Sequence, residues 1–162
     1  MRDAIRIRPA RGSDRHALLR LWVELVEHHR KLAPDLPGAD PRPEALRGEI
    51  DRGLDSPSCR VLLAEVSEEA VGFLFAEVES RGQSASPGAA VGWLHETYVR
   101  PDSRRRGVAD ALVRASLAWL HERGVGRVSV RIEATNPEAL GFWRRLGFEE
   151  RARVLERPSS PC

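Results

Sequence analysis

The most informative stretch of the chain is VGWLHETYVRPDSRRRGVADAL, residues Val91 to Leu112. Its first part is mainly apolar, which is typical of a buried β-strand ending at Val99. A short polar turn with Pro101 and a run of arginines follows, and from Val108 to Arg123 the apolar residues recur at helical spacing. The stretch therefore predicts a strand, a tight turn and a helix in direct succession.

The turn has the features of an anion-binding site. The first N–H groups of a helix have no partner within the helix, and the helix dipole places positive charge there. Gly107 and Ala109 are small enough to let a phosphate approach the backbone. Positive side chains surround them: Arg104, Arg105 and Arg106. The pattern R-x-x-G-x-A is equally typical of a purely structural helix start.

A second strand–helix unit lies downstream, where NPEALGFWRRLGF occupies residues 136–148. It follows a strand that the sequence predicts over Arg127–Glu133. Asn136 can cap the helix, Pro137 suits its first position, and Gly147 can end it before another strand. Two such units therefore carry candidate binding residues.

Together, the two stretches resemble the GNAT superfamily of acetyl-CoA-dependent N-acetyltransferases. RRRGVA corresponds to the family's turn Gln/Arg-x-x-Gly-x-Gly/Ala, and NPEALGFWRRLGF corresponds to its pattern N-x-x-A-x-x-L/F-Y-x-x-x-G-F. The match is clear from Gly92 to Glu150. The resemblance implies a mixed α/β fold with a central, mostly antiparallel sheet of about six or seven strands, about four helices and splayed middle strands.

The resemblance also implies acetyl-CoA as cosubstrate and no metal. The amides of the turn would bind the pyrophosphate, the splayed strands would hold the pantetheine arm, and the Val99 amide would polarise the thioester carbonyl during catalysis. The residues implied to bind the cofactor are Val99, Arg104, Arg105, Arg106, Gly107, Val108, Ala109, Asp110, Asn136 and Trp143. An ordinary helix cap is the alternative for Asn136, and core packing is the alternative for Trp143.

The implied reaction is direct acetyl transfer to an amine, which must first lose a proton. A lysine-like amine is neutral in only about one molecule in 2,500 at pH 7, so a nearby base is expected. The strand LHETYV offers His95 and Glu96 as the candidate catalytic bases. Successive strand residues point to opposite faces, so only a twist or a bulge would aim both at one cavity. A solvated or structural role is the alternative for each.

The proton donor for the departing thiolate is less evident. Many family members have a tyrosine where this chain has Trp143, and an indole N–H is not a practical proton source. Tyr98 is a substitute candidate. Departure of the thiolate without enzymatic protonation is the alternative.

The acceptor pocket is expected beside the end of the first helix and the second helix, over about residues 27–51. Titratable residues there and on a neighbouring strand are candidates for its wall: Glu24, Glu27, His28, His29, Asp35, Asp40, Glu77 and Glu79. The same residues are typical of a solvated surface.

Composition excludes several classes of protein. The 26 Lys and Arg against 24 Asp and Glu give a net charge of only +2, which disfavours a nucleic-acid module that uses the arginine run as a phosphate clamp. No apolar run approaches the roughly 20 residues of a membrane span, so we expect a cytoplasmic protein without a membrane partner. Cys59 and Cys162 form neither a metal-ligand cluster nor a disulfide framework.

Periodicity predicts the remaining elements within one domain over residues 1–157, followed by a tail at 158–162. They are a strand over Ala4–Arg8, a helix through Ala17–Val26, a helix over Glu44–Leu54, a hairpin of Cys59–Val66 and Ala70–Glu79, and a closing strand over Phe148–Glu156. A small-molecule amine is the expected acceptor, and homodimers are common in the family. The alternatives are acetylation of a protein lysine or N-terminus, and a catalytically silent acyl-CoA-binding protein.

Overall fold

The computed structural model describes residues 4–32, 34, 42–79 and 90–155. Over these residues the chain forms a five-stranded sheet in the order β1-β2-β3-β4-β5, antiparallel except for the parallel pair β4 and β5. The strands are β1 (Ile5–Pro9), β2 (Cys59–Val66), β3 (Glu69–Glu79), β4 (Val91–Val99) and β5 (Arg127–Val130). The α-helices are α1 (Arg15–Leu32), α2 (Pro43–Asp55), α3 (Val108–Glu122) and α4 (Pro137–Arg145). The predicted mixed α/β fold with a mostly antiparallel sheet is confirmed.

The hairpin of β2 and β3 has a tight turn at Ser67 and Glu68. These residues have positive φ angles of 49° and 65°. Two consecutive positive φ angles give the turn a twist that matches the twist of the flanking strands. The hairpin predicted from the polar turn is therefore present.

Helices cover both faces of the sheet. α1 and α2 pack on one face, where Trp22 and Phe75 belong to the buried core. Side chains alternate along a strand, so Leu74 faces the opposite side, which α3 covers. On that side β4 and α3 approach closely, because a Cβ at Gly92 would lie only 2.8 Å from Leu120 Cδ1. β4 is thus held between two helical layers.

β4 is longer than β5. Their pairing runs from Val91 with Arg127 to Leu94 with Val130, where β5 ends. β4 continues to Val99 and remains paired with β3 on its other side. The end of β4 therefore extends beyond β5, in keeping with the predicted splay of the middle strands.

The chain divides into two compact units, Met1–Arg131, which contains the whole sheet and α1 to α3, and Ile132–Cys162, which contains α4. Among the described residues, no helix is both long enough and apolar enough to cross a membrane. The single domain over residues 1–157 stays a prediction.

The closing strand predicted over Phe148–Glu156 is absent from the part that the structure describes, since residues 148–155 form no strand. Charged side chains of this segment pair locally instead, Arg151 with Glu149 and Arg153 with Glu150. An alternating pattern forms a strand only where a second strand accepts its backbone hydrogen bonds, and periodicity does not reveal that partner. The described residues therefore form five strands, where six or seven were expected.

Candidate active site

The free edge of β4 presents a backbone N–H at Val99. Arg100 N donates to Val71 O at 2.9 Å, toward β3. The direction of the N–H groups alternates along a strand, so the Val99 N–H points to the opposite edge. β5 ends at Val130, opposite Leu94, so no described strand pairs with β4 at Val99 on this side. The amide predicted to polarise the thioester carbonyl therefore has no strand partner within the described part of the chain.

The turn between β4 and α3 contains two residues in the left-handed conformation. It begins with a short 3₁₀ turn at Pro101–Ser103. Arg105 and Gly107 have left-handed φ angles of 59° and 87°. Turns with such residues are typical of an anion-binding nest, in which successive N–H groups point toward one side. α3 begins at Val108, so the N–H groups of its first turn add to the same site.

The space above the turn is open at Gly107. A Cβ built at this residue would meet nothing within 4 Å. The positive φ explains the glycine, and the open space leaves room for a ligand. Ala109 and Asp110 follow in the first turn of α3, where the Asp110 carboxylate binds Arg114 at 2.6 Å. Asp110 therefore offers the site its backbone N–H, while its negative charge is paired along the helix.

The three arginines of the turn have different surroundings. Arg104 Nε donates to Val99 O at 2.9 Å, and its guanidinium lies 5.9 Å from the centre of the Tyr98 ring. Arg104 therefore ties the turn to the end of β4. Arg105 and Arg106 are exposed. A contact of any of the three with CoA stays a prediction.

A β-bulge in β4 places His95 and Glu96 on one side of the sheet. The register changes opposite Phe75, so that His95 and Glu96 together oppose this single residue of β3. The His95 ring centre lies 5.7 Å from that of Phe75, on the face covered by α2. The charges that act on Glu96 come from His95 and from Glu49 and Arg52 of α2. From the sequence, a twist or a bulge was needed to aim both side chains at one cavity, and a bulge is present.

Burial makes Glu96 a stronger base. Withdrawal from water is the largest influence and raises the pKa of the Glu96 carboxyl. His95 and Arg52 oppose this shift, and Glu49 adds to it. Among the described residues, no other side chain hydrogen-bonds to this carboxyl. A partly buried carboxylate with a raised pKa suits removal of a proton near neutral pH.

His95 belongs to a chain of charged groups that joins β4, β3 and α2. His95 Nε2 lies 2.8 Å from Glu77 Oε2, and Glu77 Oε1 accepts from Arg52 Nη1 at 3.2 Å. Arg52 Nη2 in turn donates to Glu49 Oε2 at 2.9 Å. From the sequence, Glu77 was only a candidate for the pocket wall, and Arg52 and Glu49 were not identified. The spacing of Glu49 and Arg52 on α2 indicates that their side chains are neighbours, but no local pattern links that face of the helix to His95.

Other candidates for the acceptor wall are engaged in separate contacts. Glu79 Oε2 accepts from Trp93 Nε1 at 2.7 Å, and Glu24 Oε2 accepts from the Tyr98 hydroxyl at 3.2 Å. Asp35 and Asp40 lie outside the described residues. Of the candidates for the acceptor wall, Glu77 and Glu79 thus contact side chains of β4, namely His95 and Trp93.

Tyr98 is poorly suited to protonate the departing thiolate. It is buried in the core, and its hydroxyl is bound to Glu24. Burial, with the Glu24 charge, raises the pKa of Tyr98 to about 12. An ordinary thiol has a pKa of about 8.5, so proton transfer from such a tyrosine to a thiolate is unfavourable.

Asn136 and Trp143 belong to the second compact unit, where both have structural roles. Asn136 Oδ1 accepts from Ala139 N at 3.0 Å and caps α4. The Trp143 carbonyl accepts from Phe148 N at 3.1 Å, and the two rings lie 5.1 Å apart. With Gly147 at a φ of 87°, these contacts form a Schellman helix end. The contacts of Asn136 and Trp143 with CoA stay predictions.

A cavity of about 270 Å³ lies between α1 and α2, apart from the residues around His95. It is lined by Arg15, His16, Leu19, Arg47, Ile50 and Asp51. None of these residues belongs to the turn, to β4 or to the series of charged groups that runs from His95 to Glu49.

The family model of the acetyltransferase (GNAT) family matches residues 22–148. The chain belongs to the GNAT family. The matched range includes both stretches on which the resemblance was based, so the family predicted from the sequence is confirmed.

Curated relatives include acetyltransferases of small molecules. An aminoglycoside N(6')-acetyltransferase type 1 of Klebsiella aerogenes is 29% identical over 155 residues, which cover 91% of each chain. A mycothiol acetyltransferase of Saccharomonospora viridis is 35% identical over 88 residues, 54% of this chain and 29% of that protein. The chain spans less than half the length of the mycothiol acetyltransferases that it matches.

The same fold occurs in solved structures of the family. The aminoglycoside N-acetyltransferase AAC(6')-Iy in complex with CoA superposes with a TM-score of 0.72, covering 97% of this chain and 95% of that chain. The two sequences are 23% identical, so the likeness concerns the fold.

Proposed function

We propose that this protein is an N-acetyltransferase that transfers the acetyl group of acetyl-CoA directly to a primary amine of a small molecule. One observation carries the proposal: a single strand, β4, joins a candidate anion-binding turn to a pair of candidate bases. The strand ends at Val99, just before the turn that contains Gly107, and its bulge holds His95 and Glu96. Membership of the GNAT family supports the same reaction.

The turn has the backbone chemistry that a pyrophosphate requires. The N–H groups from Arg105 to Asp110 supply donors and the positive end of the α3 dipole, and the glycine leaves space above them. The Val99 N–H is available to a carbonyl oxygen, where a donor stabilises the negative charge that develops during acyl transfer. Asn136 and Trp143 are the proposed contacts of the CoA arm in the second unit.

The bulge supplies the groups that prepare the amine. An ammonium group must lose a proton before its nitrogen can attack the thioester, and His95 and Glu96 are the groups proposed to remove it. The negative charge of Glu96 also attracts the incoming cation. Because Trp143 is not an acid and Tyr98 is a poor one, we propose that the thiolate leaves without a protein acid.

A small amine is the acceptor that we favour. The Klebsiella relative is named for acetylation of aminoglycosides and matches nearly the whole chain, which supports a small-molecule acceptor. The carboxylates of Glu79 and Glu96 beside β4 suit a cationic amine. Protein lysines and N-termini are the alternative acceptors.

Acetyl-CoA binding is tested by thermal shift. We expect millimolar acetyl-CoA to raise the Tm of the wild-type protein, and Gly107→Val to lose this response, because its side chain would fill the nest. Gly124→Val is the matched control, since Gly124 also has a positive φ, 71°, and open space around its Cβ position. It should lose stability to a similar degree and keep the response to acetyl-CoA. An unchanged Tm of the wild-type protein in acetyl-CoA would contradict the proposed binding of acetyl-CoA.

The acceptor is tested by release of free thiol from acetyl-CoA. Amines, amino acids, aminoglycosides and peptides are supplied separately, with acetyl-CoA hydrolysis as the blank. We expect turnover with small amines. Turnover with peptides alone would favour the protein acetyltransferase, and binding of acetyl-CoA without turnover on any amine would favour a silent acyl-CoA-binding protein.

A further inference from the structure

Glu77 is hydrogen-bonded on both of its carboxylate oxygens. Oε2 lies 2.8 Å from His95 Nε2, and Oε1 accepts from Arg52 Nη1 at 3.2 Å. Arg52 is held in turn by Glu49, at 2.9 Å, and by its position 5.1 Å from the centre of the Phe75 ring. The carboxylate beside His95 is therefore fixed from α2.

This arrangement determines which ring nitrogen of His95 carries the proton. A carboxylate paired with an arginine has no proton to donate, so in the contact with His95 it is the acceptor and Nε2 is the donor. A neutral imidazole has one N–H, which leaves the lone pair on Nδ1. Nδ1 is thus the ring atom able to take a proton.

Aromatic neighbours hold the plane of the same ring. Trp93 lies nearly parallel to it, with ring centres 6.2 Å apart and an interplanar angle of 17°. Phe75 meets it edge-on at 77°. The aromatic contacts fix the plane, and Glu77 fixes the rotation of the ring within that plane.

We propose that Glu77 is a positioning residue for His95: it selects the Nε2–H tautomer, so that Nδ1 is the atom that deprotonates the acceptor amine. The inference rests on the proposed function. Nδ1 takes one proton from the ammonium group and later releases it to water. The neutral amine forms the C–N bond and gives its second proton to Glu96, which later releases it to water. The C–S bond breaks with its electron pair on sulfur, and CoA leaves as the thiolate.

Nitrogen-resolved NMR of protein labelled with ¹⁵N-histidine tests the tautomer without reference to activity. His95→Gln identifies the signals of His95. In the wild-type protein we expect the Nε2–H form, and in Glu77→Gln a loss of this preference, because an amide can donate to Nε2 as well as accept from it. Glu79→Gln is the matched control on the same strand; its carboxylate accepts from Trp93, and the substitution should leave the His95 tautomer unchanged.

Kinetics of the same variants test the consequence. Glu77→Gln should lower kcat about 10- to 100-fold, the range seen when a metal-binding histidine loses the partner that orients it, with little change in the KM for the amine. Glu77→Asp, which keeps the acceptor, should restore the Nε2–H form and part of kcat. An Nδ1–H form in the wild-type protein, or an unchanged tautomer and kcat in Glu77→Gln, overturns the inference. A wild-type protein in the Nε2–H form that acetylates no amine overturns the proposed function instead.

Discussion

The candidate anion-binding turn and the cluster around the β4 bulge differ in what they are made of. The proposed role of the turn rests on backbone N–H groups beside the left-handed residues Arg105 and Gly107. The proposed role of the cluster rests on side chains from β3, β4 and α2, which converge on His95 and Glu96. A backbone site should tolerate most side-chain changes that keep its φ angles, whereas a side-chain site should not. The substitutions below test this difference.

The largest effect is expected in the cluster, for Glu96→Gln. Gln keeps the shape of the side chain and removes its ability to accept a proton, so kcat with a small amine should fall about 10²- to 10⁴-fold. Acetyl-CoA should still raise the Tm of the variant, because the turn is unchanged. Loss of acetyl-CoA binding by this variant would show that the two regions do not act separately.

Arg104→Met tests the side chain that ties the turn to the end of β4, the strand that carries the cluster. It removes the hydrogen bond from Arg104 Nε to Val99 O while keeping most of the apolar stem. Such a bond from a charged donor is worth about 1.5–3 kcal/mol, and we expect a loss of about tenfold in kcat as the end of β4 relaxes. Arg100→Met is the control, since its guanidinium pairs with the exposed side chains of Glu69 and Asp102. An equal loss in both variants would assign the effect to surface charge.

The two regions also differ in how far they could be predicted from the sequence. The turn is determined by features that follow one another in the sequence: an apolar strand, a glycine and an amphipathic helix. This local pattern was sufficient to identify Gly107 and its neighbours as candidate binding residues. The bulge depends on the register between β3 and β4, and the approach of Arg52 to Glu77 depends on the packing of α2. Neither the bulge nor the approach of Arg52 to Glu77 is encoded in a local pattern. His95 and Glu96 were therefore predicted from the sequence without the contacts that hold them.

The two ends of α4 show that local contacts were easier to predict than long-range pairing. Asn136 was correctly predicted as a possible cap because a cap is local. The prediction of a strand after Gly147 was wrong, because a strand needs a partner strand and the periodicity of the sequence does not specify one. Local hydrogen bonding was thus predictable, and long-range pairing was predictable only through the family resemblance.

The stability of Glu96→Gln should depend on pH in a direction set by burial. The pKa of Glu96 is higher in the folded protein than the ordinary value of 4.5. The folded state therefore binds this proton more tightly than the unfolded state, and the wild-type protein loses stability as pH rises from about 4 through the folded pKa. Gln does not titrate, so the Tm of the variant should rise relative to the Tm of the wild-type protein over this range. A constant Tm difference between pH 4 and 8 would contradict the assigned burial.

The smallest effect is expected in the turn, for Arg105→Gly. Arg105 is exposed and has a φ of 59°, which glycine adopts without strain. The substitution removes a positive charge from the rim and preserves the backbone that forms the nest. If the N–H groups bind the pyrophosphate, the KM for acetyl-CoA should rise less than about fivefold, in keeping with about 0.2–1 kcal/mol for an exposed ionic contact. The remaining increase should diminish in high salt, because exposed charges are screened. Steady-state kinetics at low and high ionic strength measure both effects. A rise of a hundredfold would place the guanidinium on the phosphate itself, and the turn would then act through side chains as the cluster does.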